Sequence, residues 1–303
     1  MIKCHVCPQC DGFGCISELP GMGGIRENEN FQLNCQGWDL LADYLSIPYS
    51  GFIPTELPKI RLAPITGGVE NVGYPDEEQF YFDLIHAVHE AGAGLSIGDG
   101  CPDIKIQSGI RAVQGEQRKN PGLQSAVFIK PYSNEKILQR IEWSRSIASS
   151  VGVDIDSYNI VTMRNLVQLE KKTAKQLLLI KEQLSVPFAI KGVFTPEDVE
   201  LVKEVKPDIV LISNHGGRVD NLKGSTAAFL AEYGSVLREN CKELWVDGGI
   251  RKTRDLAVAA HFGVSQVLIG RPFITALCSG GTEKVKQFIN DLYTLQIPSP
   301  MVK

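Results

Sequence analysis

An α/β fold, specifically a (β/α)8 TIM barrel with an N-terminal Cys-rich extension, is what this sequence predicts. Two observations carry it. Eight short apolar runs fit buried parallel strands, at 60–65, 93–97, 126–129, 151–155, 188–190, 209–212, 244–246 and 267–269. Amphipathic stretches with helix start and stop signals alternate with them. A doubly wound sheet is the competing arrangement, but it usually carries GxGxxG after its first strand, and Gly67-Gly68-Val69 does not match.

The helical stretches follow in order. Residues 76–91 put Phe80, Leu84, Ile85 and Val88 on one face and stop at Gly92. Residues 134–149 align Ile137, Leu138, Ile141 and Ile147. Thr173 with Gln176, and Thr195 with Asp198, place a capping hydroxyl and an N3 acceptor before apolar runs. Residues 255–262 stop at Gly263, and Thr282 opens a last helix through Val285, Phe288, Ile289 and Leu292. Residues 1–55, rich in Cys, Gly, Asn and Pro with little periodicity, form the extension, leaving 56–303 for the barrel.

At 303 residues and 43% hydrophobic, the chain can bury a large core. A net charge of −4 argues against nucleic acid or an anionic membrane as partner. No apolar run reaches the ~18 residues of a membrane span. The opening MIKCHVCPQC lacks the apolar region of a secretory signal, so the cytoplasm is the expected compartment. Cys35, Cys101, Cys241 and Cys278 are scattered and read as reduced thiols.

The chemistry gathers at the strand ends. Residues 208–212 lead into Ser213-Asn214-His215-Gly216-Gly217-Arg218, delivering an imidazole and a guanidinium to the barrel mouth, where ligands sit. The imidazole can take a proton near neutrality, and the guanidinium can grip a carboxylate bidentately. Asp247-Gly248-Gly249-Ile250-Arg251 ends the seventh strand and Gly270-Arg271-Pro272 the eighth. Paired glycines, two arginines and a helix start at that place suit a phosphate. Lys191 after strand five is either a fixed cation or a Schiff-base amine. Asp154 and Asp156 share a face of strand four, where a carboxylate near His215 would orient it.

AIKG (189–192), SNHGGR (213–218), VDGGIR (246–251) and LIGRPF (268–273), in this order and spacing, resemble the FMN-dependent 2-hydroxy-acid oxidase and dehydrogenase family, which includes glycolate oxidase and lactate oxidase. The resemblance is strong over 186–275, weaker over 57–160 and absent over 1–50. It implies a 2-hydroxy acid oxidised to the 2-oxo acid, FMN as two-electron acceptor, a small carboxylate substrate and a homo-oligomer. His215 would be the base, Arg218 the carboxylate clamp and Asp156 the partner of His215. Lys191 would sit at the flavin N1/O2 edge. Asp247, Gly248, Gly249, Arg251, Gly270 and Arg271 would hold the ribityl phosphate. Pro64, Ile65 and Thr66 would lie along the isoalloxazine, with Ser213 and Gly98 as further flavin contacts. Lys130 and Asp154 complete the cofactor set, and both regions depart from the family: where an aromatic hydroxyl is expected after strand three the chain reads Phe128-Ile129-Lys130-Pro131-Tyr132, and Asp154 takes a position where threonine is usual. The loop after Arg218, Val219-Asp220, is one residue shorter than the family's. Arg164 is the candidate for the second carboxylate-binding arginine, and the amino-terminal tyrosine has no counterpart.

Cys4, Cys7, Cys10 and Cys15 give C-x2-C-x2-C-x4-C, a spacing suited to tetrahedral Zn or an iron–sulfur cluster. A cluster would pass electrons to a redox partner protein. His86 and His89 read as a solvated helix face and His261 as a helix-end cation. Three alternatives stay open: a non-redox FMN isomerase of the type 2 isopentenyl diphosphate isomerase kind, a flavin/iron–sulfur electron carrier, and a phosphosugar aldolase using Lys191.

Overall fold

The computed structural model describes Cys4, Cys7 and residues 29–48, 56–160, 167–219 and 222–294. Eight strands appear where the apolar runs lie. They are β1 (Lys59–Leu62), β2 (Leu95–Gly98), β3 (Ser125–Ile129), β4 (Ala148–Asp154), β5 (Phe188–Val193), β6 (Ile209–Ile212), β7 (Glu243–Asp247) and β8 (Gln266–Ile269). All pair in parallel, in the order β1-β8-β7-β6-β5-β4-β3-β2. The seam between β1 and β2 is bridged at Gly94, whose N–H donates to Ile60 O (2.9 Å) and whose carbonyl accepts from Leu62 N–H (2.8 Å). The result is a (β/α)8 barrel.

The helices are α1 (Glu29–Tyr44), α2 (Gly68–Val72), α3 (Glu77–Glu90), α4 (Ile104–Gln117), α5 (Asn134–Ser144), α6 (Ala174–Lys181), α7 (Pro196–Val205), α8 (Thr226–Arg238), α9 (Thr253–His261) and α10 (Arg271–Tyr293). Both expected capping boxes form, at Thr173/Gln176 and Thr195/Asp198. Gly280 and Gly281 break α10, so its second half does begin at Thr282. The helix expected over 134–149 ends at Ser144, because Ala148 already pairs with Ser125 in β3. Ile147 is buried as a strand lead-in and not on a helix face. Helices α2, α4 and α8 add to the stretches read from the sequence, and so does α1, which lies inside the segment that showed little periodicity. Its Trp38 and Ala42 are fully buried. Among the described residues, no helix is long and apolar enough to cross a membrane.

Strand period two sorts the core into an outer shell against the helices and a smaller interior cluster. Ala126, Phe128, Ala189, Ile209, Leu211, Trp245 and Leu268 fill the interior. Gly152 belongs to the same layer: a Cβ there would meet the Phe128 ring at 2.7 Å. Two residues further along β3, β4, β5 and β7, the same face continues as Lys130, Asp154, Lys191 and Asp247. The apolar layer is therefore the floor on which a polar layer stands at the C-terminal mouth.

Candidate active site

Five titratable groups meet on the β3–β6 side of this mouth. Lys191 Nζ donates to Asp154 Oδ1 (2.8 Å), and Lys130 Nζ to Asp154 Oδ2 (3.1 Å). His215 Nδ1 lies 3.3 Å from both oxygens of Asp156 and 3.4 Å from Lys191 Nζ. The backbone makes these approaches possible. Gly192 adopts φ +94°, at a register shift in β5, and a Cβ there would fall 2.5 Å from Asp156 Cγ. His215 itself adopts φ +57°, a conformation that costs a non-glycine residue roughly 1 kcal/mol or more. It is held there by Ser213 Oγ, which accepts His215 N–H (3.1 Å), and by Asn214 Oδ1, which accepts Gly217 N–H (2.9 Å).

Charge follows from burial and neighbours. Burial and the Lys191 cation push the His215 imidazole well below its ordinary range, so it rests neutral. Burial would raise Asp154, but Lys191 and Lys130 outweigh it and hold the carboxylate ionised. Burial and the Asp154 charge push Asp156 well up. For Lys191, burial is outweighed by Asp154 and Asp156, which keep it an ammonium. A Schiff-base amine needs the opposite. Asp154, Asp156 and His215 also place ligand-type atoms within 4.8 Å of one another, but the Lys191 ammonium already occupies the place a metal ion would take.

The β6–β8 side is built differently. Gly248 (φ +91°) and Gly249 (φ +82°) turn the chain after β7, and Arg271 Nη2 donates to Gly216 O (3.0 Å). Burial and the nearby Arg218 and Arg251 cations push Arg271 far down, so three guanidiniums converge here. Asp247 Oδ2 accepts from Ser213 Oγ (2.8 Å), and burial raises its carboxyl to about 6. Asp247 Oδ1 and Arg271 Nε are buried without a hydrogen-bond partner among the described residues. An unsatisfied acceptor, an unsatisfied cationic donor and a glycine turn fit a polyol phosphate such as the FMN ribityl chain.

Helix α1 braces these loops, and sequence reasoning missed it. Asn30, Asn34 and Trp38, four residues apart, share a face. Asn30 Nδ2 donates to Val219 O (2.8 Å), Asn34 and Asn214 exchange amide hydrogen bonds (2.7 and 3.0 Å), and Trp38 Nε1 donates to Gly248 O (2.8 Å). Arg271 stacks 4.7 Å from the Phe31 ring. Polar side chains on the helix's inward face hid its period.

Other expected residues fall as follows. Pro64, Ile65 and Thr66 form the loop after β1, with Ile65 O accepting from Tyr81 Oη (2.9 Å) and Thr66 O from Asn71 Nδ2 (2.9 Å). Gly98 packs under that loop, since a Cβ would meet Pro64 O at 2.7 Å. Gly270 precedes α10 opposite Ala63. Cys4 and Cys7 are half-buried thiols, and the hydrogen bond that the Cys278 thiol donates to Cys4, with burial, pushes Cys278 up. Cys10, Cys15 and Arg164 lie outside the described residues. His86 pairs with Glu116 at 3.1 Å.

Comparison with known proteins points to one family. A family model described as FMN-dependent dehydrogenase matches residues 111–294. A 2-hydroxyacid oxidase of Dictyostelium discoideum is 36% identical over 118 residues, 39% of this chain and 30% of that protein. A cytochrome-type L-lactate dehydrogenase of Saccharomyces cerevisiae is 36% identical over 126 residues, 39% of this chain and 21% of that one. The chain thus matches under a third of the length of these curated relatives. Among solved structures, mandelate oxidase with (S)-2-phenylpropionate superposes with a TM-score of 0.63 at 18% identity, covering 88% of this chain and 83% of that one. At that identity the likeness speaks for the fold.

Proposed function

The chain belongs to the FMN-dependent dehydrogenase family, and from that premise we propose that it oxidises a 2-hydroxy acid to the 2-oxo acid. The observation that carries the reading is the neutral His215 imidazole set against Asp156 at the barrel mouth. FMN, when bound, supplies the two-electron acceptor. Asp247, Gly248, Gly249, Arg251, Gly270 and Arg271 would hold its ribityl phosphate, and Pro64–Thr66, Gly98, Ser213, Lys130 and Asp154 would line its ring.

The chain's own residues handle the substrate. Arg218 grips the carboxylate as a fork, fixing which carbon faces the base. His215 donates Nδ1–H to Asp156, which leaves the Nε2 lone pair for the substrate proton. Once protonated, the imidazolium keeps its Nδ1–H directed at Asp156, which accepts it, while Nε2 carries the proton taken from the substrate. Lys191 stays an ammonium and would, with FMN bound, favour negative charge on the flavin. The four N-terminal cysteines, read as an Fe–S or Zn site, would serve a redox partner protein if they hold a cluster. The wider reading is of a cytoplasmic homo-oligomer with residues 1–55 as extension and 56–303 as barrel.

The test is an absorption spectrum of protein purified without oxygen, followed by a panel of 2-hydroxy acids. Flavin bands that bleach with one of the acids are expected. A protein that is colourless and refuses FMN on reconstitution would overturn the reading, and flavin that no acid bleaches would leave the isomerase or carrier. Metal and labile-sulfide analysis of the same sample decides between Fe–S, Zn and bare thiols.

A further inference from the structure

Lys130 is only 7% exposed, and its ammonium bonds the one oxygen of Asp154 that Lys191 does not use. One carboxylate thus bridges two cations. Both ends of this ion pair fall where the sequence departs from the family it resembles: Asp154 stands where threonine is usual, and Lys130 lies in the segment after β3 where an aromatic hydroxyl is expected. Each change alone carries a penalty. A buried ammonium without Asp154 would stand uncompensated near Lys191, and an extra carboxylate without Lys130 would crowd Asp156. Together they satisfy one another.

We propose that Lys130 is a positioning residue for proton transfer: acting through Asp154, it keeps that carboxylate bridged to Lys191 and thereby sets the pH at which His215 takes up a proton. The inference rests on the reading of His215 as the base. The groups facing the imidazole are Asp154 at the end of β4 and Asp156 in the turn after it, Lys191 from β5, Lys130 just past β3 and Arg218 from its own turn. Asp247 of β7 reaches it through Ser213, and Arg271 of α10 holds the next carbonyl. With Asp154 ionised and Asp156 pushed toward its protonated form, Lys130, Lys191 and Arg218 outnumber the anions that face the imidazole. That surplus of cations disfavours a further positive charge on His215. Lys130 contributes without touching the ring, so its removal changes the charge count and leaves the hydrogen bond to Asp156 in place.

The test is the NMR titration of histidine-labelled protein as purified, with the His215 signal assigned by its loss in His215→Gln. Lys130→Met should let His215 protonate about one pH unit higher, a tenfold gain in proton affinity. Asp154→Asn should move it the other way, the double variant should fall between them, and Lys130→Arg should match the wild type. A purely structural role would not give opposite signs. The inference is overturned if Lys130→Met leaves the titration unmoved, if it shifts in the same direction as Asp154→Asn, or if Lys130→Arg shifts as far as Lys130→Met. Should Lys130→Met not fold, the downward shift in Asp154→Asn and its reversal in the double variant decide the matter. No substrate enters this measurement. Failure of every 2-hydroxy acid to bleach flavin would remove the proposed reaction and leave the titration standing, whereas normal turnover with an unmoved titration would remove only the role of Lys130.

Discussion

The two sides of the barrel mouth are built on opposite plans. On the β3–β6 side, Lys130, Asp154, Lys191, His215 and Asp156 compensate one another through a chain of contacts between 2.8 and 3.4 Å. On the β6–β8 side, Arg271 lies near Arg218, Arg251 and the Asp247 carboxylate, and two buried polar atoms find no partner among the described residues. The first side is complete within the protein. The second is a frustrated cradle, and it becomes favourable when an anion with hydroxyl groups fills it. On the proposed function a division of labour is expected: the side-chain network would govern rate on one side, and the glycine turn with its arginines would govern cofactor retention on the other.

The largest expected effect tests that division directly. His215→Gln should slow substrate-driven flavin reduction by roughly a hundred- to ten-thousand-fold while the flavin content of the purified protein stays unchanged. Arg271→Met should do the reverse, losing flavin on dialysis. Stopped-flow reduction beside the 450-nm absorbance reads both, and loss of flavin in His215→Gln would break the comparison. Gly249→Ala comes next. Its φ of +82° and the contact a Cβ would make with Asn34 O at 2.1 Å force α1 off the loop. A loss of about 3 kcal/mol in urea unfolding is expected, together with weakened flavin binding. A near-neutral result would mean that α1 does not brace the cradle.

How much of this could be read from sequence depended on what kind of signal each residue left. All eight strands were legible, because a strand buried on both faces must be a run of apolar residues. Lys191, directly after such a run, and His215, Arg218, Arg251 and Arg271, in the loops that follow others, could be assigned to the mouth for a related reason: the loops after parallel strands gather at that end of a barrel. What escaped was contact between segments distant in the chain. Asn30, Asn34 and Trp38 bind loops 180 or more positions away, and two of the three are polar where a helix period would show apolar residues. The end of α5 escaped because Ile147 continues the helical spacing, and only pairing with β3 ends it. Lys130 and Asp154 were each visible as oddities. Their being one ion pair appeared only when β3 and β4 lay side by side.

The two sides should also differ in how pH acts on them. Asp247 sits among the arginines, yet burial raises it to about 6. The folded protein therefore binds more protons at this group than the unfolded chain between about pH 4 and 6. Its stabilising contribution is present below pH 4 and is lost as pH rises through 6, up to about 3 kcal/mol for a shift of this size. Asp247→Asn removes the dependence. The variant's stability relative to wild type should climb by about 2 kcal/mol between pH 4.5 and pH 7 in urea titrations. Asp156 and Asp255 are raised as well, but they act equally in both proteins and cancel in the difference. An unchanged difference across that range would place Asp247 in a more solvated setting than the cradle requires.

Inorganic phosphate gives the smallest and most specific effect. If the glycine turn and the arginines form an anion cradle, phosphate alone should bind it in flavin-free protein and raise Tm with saturation. At ten times its Kd the gain is about 1.4 kcal/mol. Phosphate also stabilises many proteins by exclusion from their surfaces, an effect that grows steadily with concentration and ignores the site. Two controls separate the causes. Saturation should vanish in Arg271→Met, which lacks the buried guanidinium, and in protein already loaded with FMN, whose own phosphate would hold the cradle. His215→Gln, on the other side of the mouth, should keep the full saturable shift. A linear rise shared by all four samples would show that the cradle reads nothing of the anion by itself, and that the frustration of the β6–β8 side is relieved only by the ribityl hydroxyls reaching Asp247.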